Sequence, residues 1–436
     1  SVFLQGWKQS SAFDEISSEV FQSMELYALT LHYTELGTLC SLLLPFFTVM
    51  AIFVKEKNVR VVSIVMAVCS CILLFFSMSR AGVAGVFVAF SVLLVTCVRK
   101  WLIHYKQTLG VIAVFMVFCA GAGIATNGEI FSKGIELRQD FYSLFQNQEN
   151  FDYHKDIPIK QVAIDGKRLF FTMQQEVLEL DYTTGAVNCF DKEGQFVEFQ
   201  KGEGVRYMTT DSRFADISFA TEIIKTMDRE KEEKRKVLRL YYQDKQIFIV
   251  NLAGLPQKAF LDTQYKNLDI VEAPYFGFEG KEKSANNRGY VWSRTIPLLR
   301  ERLWIGSGAG SFSKEFPQGD VLAKWYVYGT PNMTIKEVNN RYLQTGVEHG
   351  LLALLIWIVV LFFYFVDSFT LYIFRKEYNA TEIFGLAIFV ALVGYSVNTF
   401  FVSTSISVAP LFWCLFGFGM GANYWVRRMR EQKMFK

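Results

Sequence analysis

Three groups of charged and polar residues border long apolar runs. An ionised or hydrogen-bonding side chain is costly there, so each group marks a place where polar chemistry could sit. The first is Arg80, which interrupts an otherwise apolar run from 61 to 98. The second is NNRGYVWSRTIPLLRERLWIGSGAGSF, Asn286–Phe312. In it Arg288, Trp292 and Thr295 fall at i, i+4 and i+7 and share one helix face, with Arg294 about a half-turn away. Pro297 is expected to bend or end that helix, and Gly306, Gly308 and Gly310 allow a tight loop after it. The third is EVNNRYLQTGVEHGLLALLIW, Glu337–Trp357, where Asn339, Asn340, Tyr342, Gln344 and Glu348 stand before or at the entry of an apolar helix. Each group also has a plainer reading. Arg80 would then mark a surface turn and snorkel to headgroups, the second group an amphipathic interfacial helix stopped by glycines, and the third ordinary polar residues of the headgroup layer.

The elements that must position these groups are membrane helices. A bilayer core of ~30 Å takes about 20 apolar helical residues, and seven stretches qualify. Five are 37–54, 61–79, 81–98, 107–128 and 350–366. The uncharged stretch 383–426 is too long for one crossing and is split by the polar run Ser396–Ser407 into two helices. Basic residues in short loops set the orientation. Lys55, Lys57 and Arg60, then Arg99, Lys100 and Lys106, then Arg375 and Lys376, and finally the tail from Arg427 to Lys436 lie in alternate loops and so on the cytoplasmic side. The opposite side holds the Ser77–Gly82 turn, the polar run near Ser403 and everything from about 129 to 335. All three groups therefore belong to the outer face.

Composition excludes other classes. Of 436 residues, 51% are hydrophobic and 16% aromatic, with 42 Phe. Charged residues make up 20%, below the ~25% of soluble domains. A disordered chain, a collagen-like chain and an ordinary soluble enzyme are ruled out. A net charge of +3 argues against nucleic acid as a partner. Six cysteines sit in apolar helices, which leaves Cys189 alone outside, unable to build a disulfide framework. The four histidines form no ligand cluster, so no metal and no cofactor is expected. The chain opens on Ser1 without a signal-peptide pattern, and a missing upstream part is expected. Residues 157–275 read as β, with hairpins turning at Thr184–Gly185, Lys192–Gly194 and Gln243–Gln246. A charged helix is expected over roughly Phe219–Lys236, ending in DREKEEKRK. This region holds neither a Gly-rich phosphate loop nor paired catalytic carboxylates; it reads as a module that supports or gates the membrane part, or recognises a glycan or partner.

At the three groups the sequence resembles the O-antigen ligase / O-antigen polymerase family of membrane glycosyltransferases. SMSRAG is similar to the family's Ser-Arg-Gly turn, and RGYVWSRTIPLLRERLWIGSGAGSF with FPQGD to its R-x3-W…P…G-x-G…F helix and loop. NNRYLQTGVEHGLLA resembles its signature H-N-x-Y-L-x(5–6)-G-x-x-G, and VNTFFVSTSISVAPLFWCLFGFG its last two helices. The likeness covers 35–125 and 286–425. It implies a GT-C-like, mainly α-helical polytopic membrane protein of about seven transmembrane helices with an extracytoplasmic β-rich insertion. The divisions are 1–128 (external segment and four helices), 129–285 (insertion), 286–349 (helix-loop region with the active site) and 350–436 (three helices and a basic tail).

The resemblance implies transfer or polymerisation of a glycan from a polyprenyl-pyrophosphate carrier to a glycan or lipid acceptor, without metal or cofactor. The reaction would lie on the outer face of the bacterial cytoplasmic membrane, among its lipids, in cell-envelope polysaccharide assembly. Guanidinium forks bind phosphate in bidentate geometry and stay charged. Arg80, Arg288 and Arg294 would hold the pyrophosphate, and Trp292, Asn340 and Tyr342 complete the set that binds pyrophosphate or glycan. The family's signature His, taken as the general base, falls at Asn339, and an amide cannot accept a proton near neutral pH. Glu337 or Glu348 would act instead, or less readily His349, which lies ten residues beyond Asn339, ~15 Å along a helix, and on another face. The catalytic residues read from this are Asn339 and Glu348. The alternative is a catalytically inactive family member that binds glycan or a partner at the membrane. A transporter fits less well, since Asp367, the intramembrane carboxylate, sits near the cytoplasmic end and no interrupted helices match between halves.

Overall fold

A computed structural model describes residues 33–77, 79–103, 152–202, 206–228, 231–403 and 407–434. The chain divides into a helical unit (1–141, 302–306 and 338–436) and a β-rich unit (142–301 and 307–337).

In the helical unit, α1 (Tyr33–Phe53), α2 (Lys57–Phe76), α3 (Arg80–Thr96) and the short α4 (Val98–Ile103) precede the β-rich unit in the chain. After it come α8 (Arg341–His349), α9 (Leu351–Tyr372), α10 (Ala380–Asn398) and α11 (Ala409–Met434). Among the described residues four helices are long and apolar enough to cross a membrane: α1, α2, α9 and α10. The chain is a membrane protein. Helix α3 is equally apolar over 17 residues. In α11 the apolar part is diluted by Asn423, Tyr424 and the basic residues after Val426. The stretch expected at 107–128 lies outside the described residues. The split of 383–426 into two helices is present, with the break after Asn398.

Helix α10 is the centre of the bundle: Leu386, Ala387, Ile388, Val390, Ala391 and Leu392 are fully buried. Lipid is as apolar as leucine, so close packing rather than hydrophobic exclusion holds such helices together. Small residues permit the approach: a Cβ on Gly85 would lie 2.5 Å from the Gly394 carbonyl oxygen, and one on Gly394 2.7 Å from that of Ser41. Helices α2 and α9 instead expose their apolar faces, including Val61, Val65, Leu355, Ile356, Phe362 and Phe363, as lipid-facing helices do. Charges at the basic end of the bundle are paired: Asp367 with Arg427, and Glu382, part of the α10 capping box, with Arg430 at 2.6 Å.

The β-rich unit has two antiparallel meanders. The first contains β1 (Ile159–Asp165), β2 (Arg168–Met173), β3 (Val177–Asp181) and β4 (Asn188–Phe190), in that order. The second runs β5 (Phe199–Lys201), β6 (Arg206–Thr209), β7 (Ile217–Asp228), β8 (Lys231–Tyr242), β9 (Lys245–Asn251), β10 (Phe260–Leu261) and β11 (Asn267–Leu268). Phe171 of one sheet meets Phe248 of the other, 5.8 Å between ring centroids. The expected hairpin across Gln243–Gln246 is β8–β9, and Gln243 and Asp244 take the paired positive φ of a type I′ turn.

The helix expected over Phe219–Lys236 is not formed. That stretch is β7 and β8, an antiparallel pair in register from Ile217↔Tyr242 to Asp228↔Lys231. The physical reason is twofold. The charge run has no apolar stripe at helical spacing with which a helix could dock. The flanking Ile217, Thr221, Ile223, Ile224 and Val237 are β-branched, and β6 and β9 pair with the hairpin on either side.

Candidate functional site

The second motif group lies in the β-rich unit on α5 (Ser284–Glu301). Ala285, Asn286 and Asn287 have positive φ, so regular helix begins at Arg288. Pro297 does not end the helix. The carbonyl it leaves without an intrahelical donor, that of Ser293, accepts the Phe276 N–H at 2.9 Å. Arg288 is half-buried and donates from Nη1 to the Ala285 carbonyl at 2.9 Å. Trp292 and Thr295, which share its face, are buried; Trp292 meets Phe278 edge-on.

Arg294 is enclosed in the interior, 2% exposed. Its Nε donates to Asp320 at 3.1 Å, Nη1 donates to Ser293 Oγ at 3.0 Å and lies 3.9 Å from Glu282, and the rings of Tyr290 and Tyr275 flank it at 4.8 and 4.9 Å. Asp320 stands at the N-cap position of α7 (Val321–Tyr328) without making a capping hydrogen bond, and on α7 Lys324 is buried and donates to the Met333 carbonyl. Burial outweighs the arginine and pushes the Asp320 and Glu282 carboxyls above their ordinary range. It pushes the Lys324 ammonium down to about 8. Expected to hold phosphate, Arg294 thus has its guanidinium committed to this internal ion pair, which ties α5 to the head of α7.

The first and third groups lie in the helical unit. Ser79 caps α3, its Oγ accepting the Gly82 N–H, so half-buried Arg80 is the first residue of that helix. Asn339 adopts a left-handed conformation (φ 54°), which asparagine tolerates, and its N–H donates to Ser403 Oγ at 3.0 Å. Asn340 caps α8, its side-chain oxygen accepting the Leu343 N–H. Tyr342 stacks on Trp357 of α9 and donates to the Ser396 carbonyl at 3.0 Å. Glu348 is buried near the end of α8 and accepts from Gln344 Nε2 at 3.2 Å. His349 and Glu337 are exposed.

Two features lay outside the sequence reading. Residues Arg302–Gly306 return to the helical unit for a single short visit. The carbonyls of Arg302 and Leu303 accept the Leu351 and Leu352 N–H groups, each at 3.2 Å, and so satisfy the start of α9, where Gly350 offers no capping side chain. Gly306 is required for this docking: a Cβ there would lie 2.1 Å from the Glu348 carbonyl oxygen. The motif glycine thus serves contact between two motifs. The second feature is Arg341, inside the signature itself and 6% exposed. An ionisable residue opening a membrane-entry helix was the signal available for it.

Comparison with known proteins agrees with the sequence. Residues 218–358 match the family model described as O-antigen ligase. The match takes in β7–β11, α5, the Arg302–Gly306 segment, α8 and the head of α9. No curated protein and no solved structure matches the chain.

Proposed function

We propose that this chain, a member of the O-antigen ligase family, moves or polymerises a glycan from a polyprenyl-pyrophosphate carrier to a glycan or lipid acceptor. The reaction takes place on the outer face of the cytoplasmic membrane, which the chain crosses about seven times with its β-rich unit outside. The observation that carries this reading is the buried carboxylate of Glu348 at the head of a membrane-crossing helix, hydrogen-bonded by Gln344 and docked against the Gly306 loop inside the family-matched region.

In the mechanism, Glu348 takes the proton of the acceptor hydroxyl. The oxygen attacks the anomeric carbon of the donor sugar, and the bond from that carbon to the diphosphate oxygen breaks. Arg80 holds the diphosphate and stabilises the charge it gains on leaving; Arg288, in the β-rich unit, keeps the phosphate-binding role its place in the motif suggests. Asn339, held by Ser403 through its backbone, keeps its amide for orienting the acceptor. Trp292, Asn340 and Tyr342 position the helices that carry these groups, and Arg294 keeps α5 in shape.

The test uses purified lipid-linked donor and acceptor. Glu348→Gln lowers turnover by roughly 10²–10⁴-fold while donor affinity is kept, as loss of a general base requires. In cells, Arg80→Ala and Arg288→Ala both stop glycan assembly and cause lipid-linked precursor to build up. Asn339→His, which the left-handed backbone accommodates, raises turnover. Donor binding with no turnover in any of these forms, wild type included, would convict the chain of binding glycan without transferring it.

A further inference from the structure

Among the described residues, three buried charged residues belong to the helical unit: Glu382, Glu348 and Arg341. Glu382 is paired with Arg430, and Glu348 is hydrogen-bonded by Gln344. Arg341 differs from both. Its guanidinium lies among three rings, Trp357 at 4.7 Å, Phe412 at 5.2 Å and Tyr395 at 5.6 Å, contributed by α9, α11 and α10. Nη1 donates to the Tyr395 hydroxyl, and no Asp or Glu among the described residues pairs with it.

Aromatic faces attract a cation and pack against its plane. They leave the edge of the fork, which carries most of its N–H donors, without acceptors. A buried arginine paired with a carboxylate is structural, as Arg294 is in the β-rich unit. A buried arginine set among rings and lacking a counter-charge is preorganised for an anion that arrives from elsewhere.

Its surroundings fix which end of the bundle this is. The Arg341 N–H donates to the Thr399 carbonyl just past the end of α10. The neighbouring Asn398 accepts from Thr38 near the start of α1 and lies beside Gly85, in the second turn of the helix that Arg80 opens. Arg80 and Arg341 therefore occupy the same end of the helical bundle, opposite the end where Asp367 and Glu382 meet the basic tail.

We infer that Arg341 is a binding residue for a lipid-borne phosphate group, with the Trp357, Tyr395 and Phe412 rings holding its fork edge-on to the ligand. The phosphate belongs either to the diphosphate of the glycan carrier or to the headgroup of a phospholipid. The first source rests on the transfer reading above and the second does not. Residue 341 is the unassigned position of the signature, so the motif gives it no role.

The test measures binding to the full chain in nanodiscs of uncharged lipid, with polyprenyl diphosphate, phosphatidylglycerol and uncharged polyprenol as three separate ligands. Arg341→Met fills the cage with an apolar chain of similar length. The expected result is a roughly 10–100-fold weaker affinity for a phosphate-bearing ligand, the effect of losing a charged hydrogen-bonding group. Polyprenol binding stays unchanged and the unfolding temperature does not fall. Arg341→Lys, which keeps the charge and loses the fork, is intermediate. Weakened diphosphate binding assigns the carrier as the source; weakened phosphatidylglycerol binding with intact diphosphate binding assigns the headgroup. Arg80→Ala separates this inference from the reading it builds on. If Arg80→Ala weakens diphosphate binding and Arg341→Met weakens neither phosphate ligand, the role given to Arg341 is refuted and the transfer reading stands. If neither substitution affects diphosphate, the transfer reading loses its pyrophosphate site. A fall in unfolding temperature in Arg341→Met with unchanged affinity for both would make the residue structural and overturn the inference.

Discussion

Replacing Arg294 with alanine separates an internal keystone from a phosphate ligand. The substitution leaves Asp320, at 1% exposure, and Glu282, at 4%, buried without their cation. Removing one member of a buried pair costs about 3–5 kcal/mol, because the remaining charge stays desolvated. The Tyr275 and Tyr290 faces, at 4.9 and 4.8 Å, add about 1–2 kcal/mol between them. For a unit of this size each kcal/mol shifts the midpoint by about 2–4 °C, so the β-rich unit should melt roughly 10 °C or more lower. The loss also carries a pH signature. Burial already raises both carboxyls, and Arg294 is among the groups that hold the rise in check. A carboxyl whose folded pKa is raised binds more protons folded than unfolded, so its contribution to stability falls as pH rises through that interval. Without Arg294 the rise is larger, and the variant's deficit should be small near pH 5 and full at pH 8. Thermal unfolding of the detergent-solubilised chain, followed by far-ultraviolet circular dichroism of the β signal, reads both effects. Arg294→Met combined with Asp320→Leu should recover much of the loss, since an apolar pair needs no counter-charge. A midpoint within about 2 °C of wild type, together with lost donor binding, would refute the reasoning and return Arg294 to the phosphate site.

Two further outcomes follow from the geometry. Lys324, held down to about 8 from 10.5, binds fewer protons folded than unfolded between those values, so stability should rise with pH across that window. Lys324→Met should flatten the rise, and unfolding midpoints at pH 7.5 and 9.5 for both forms check it. Gly306→Ala places a Cβ 2.1 Å from the Glu348 carbonyl oxygen, so it should undock the segment that satisfies the head of α9 and cut turnover at least tenfold. Gly308→Ala meets nothing within 4 Å and is strained only by its φ of 103°; it should cost about 1 kcal/mol of stability and leave turnover nearly intact. Equal effects on turnover would remove the docking role from Gly306.

The sequence made the membrane helices legible because hydropathy and length both follow from one large effect, the cost of placing polar groups in lipid. Hairpins with glycine or paired polar turns were legible for a similarly local reason. The β7–β8 pair was not, because a run of mixed acidic and basic residues satisfies a solvated helix and a solvated strand alike, and the decision came from neighbouring strands. At the site, spacing placed Arg288, Trp292 and Thr295 on one face, which is local. It could not tell that Arg294 would meet Asp320 and Glu282, since those partners lie 26 residues after it and 12 before. Nor could it tell that Gly306 would rest on Glu348, a contact made only once the chain re-enters the helical unit.

In the proposed reaction, helix α8 would set the distance between the phosphate and the proton acceptor. Arg341 and Glu348 stand seven residues apart, close to two turns, so they share a face and lie ~10 Å apart along the axis. Gln344 sits between them on that face and holds Glu348 by hydrogen bond. On that proposal a glycan donor would span this interval, with its phosphate at the arginine and the sugar carbon, where the acceptor hydroxyl must lose its proton, toward the carboxylate. The spacing is built into one rigid element and does not depend on where the β-rich unit stands. Shifting the register by one residue should therefore be worse than losing either charge. An alanine inserted between Gln344 and Thr345 rotates Glu348 by about 100° off the face. It should abolish turnover while lipid-phosphate binding at Arg341 persists. Turnover retained in the insertion variant would show that the acceptor's proton is taken by a group outside α8.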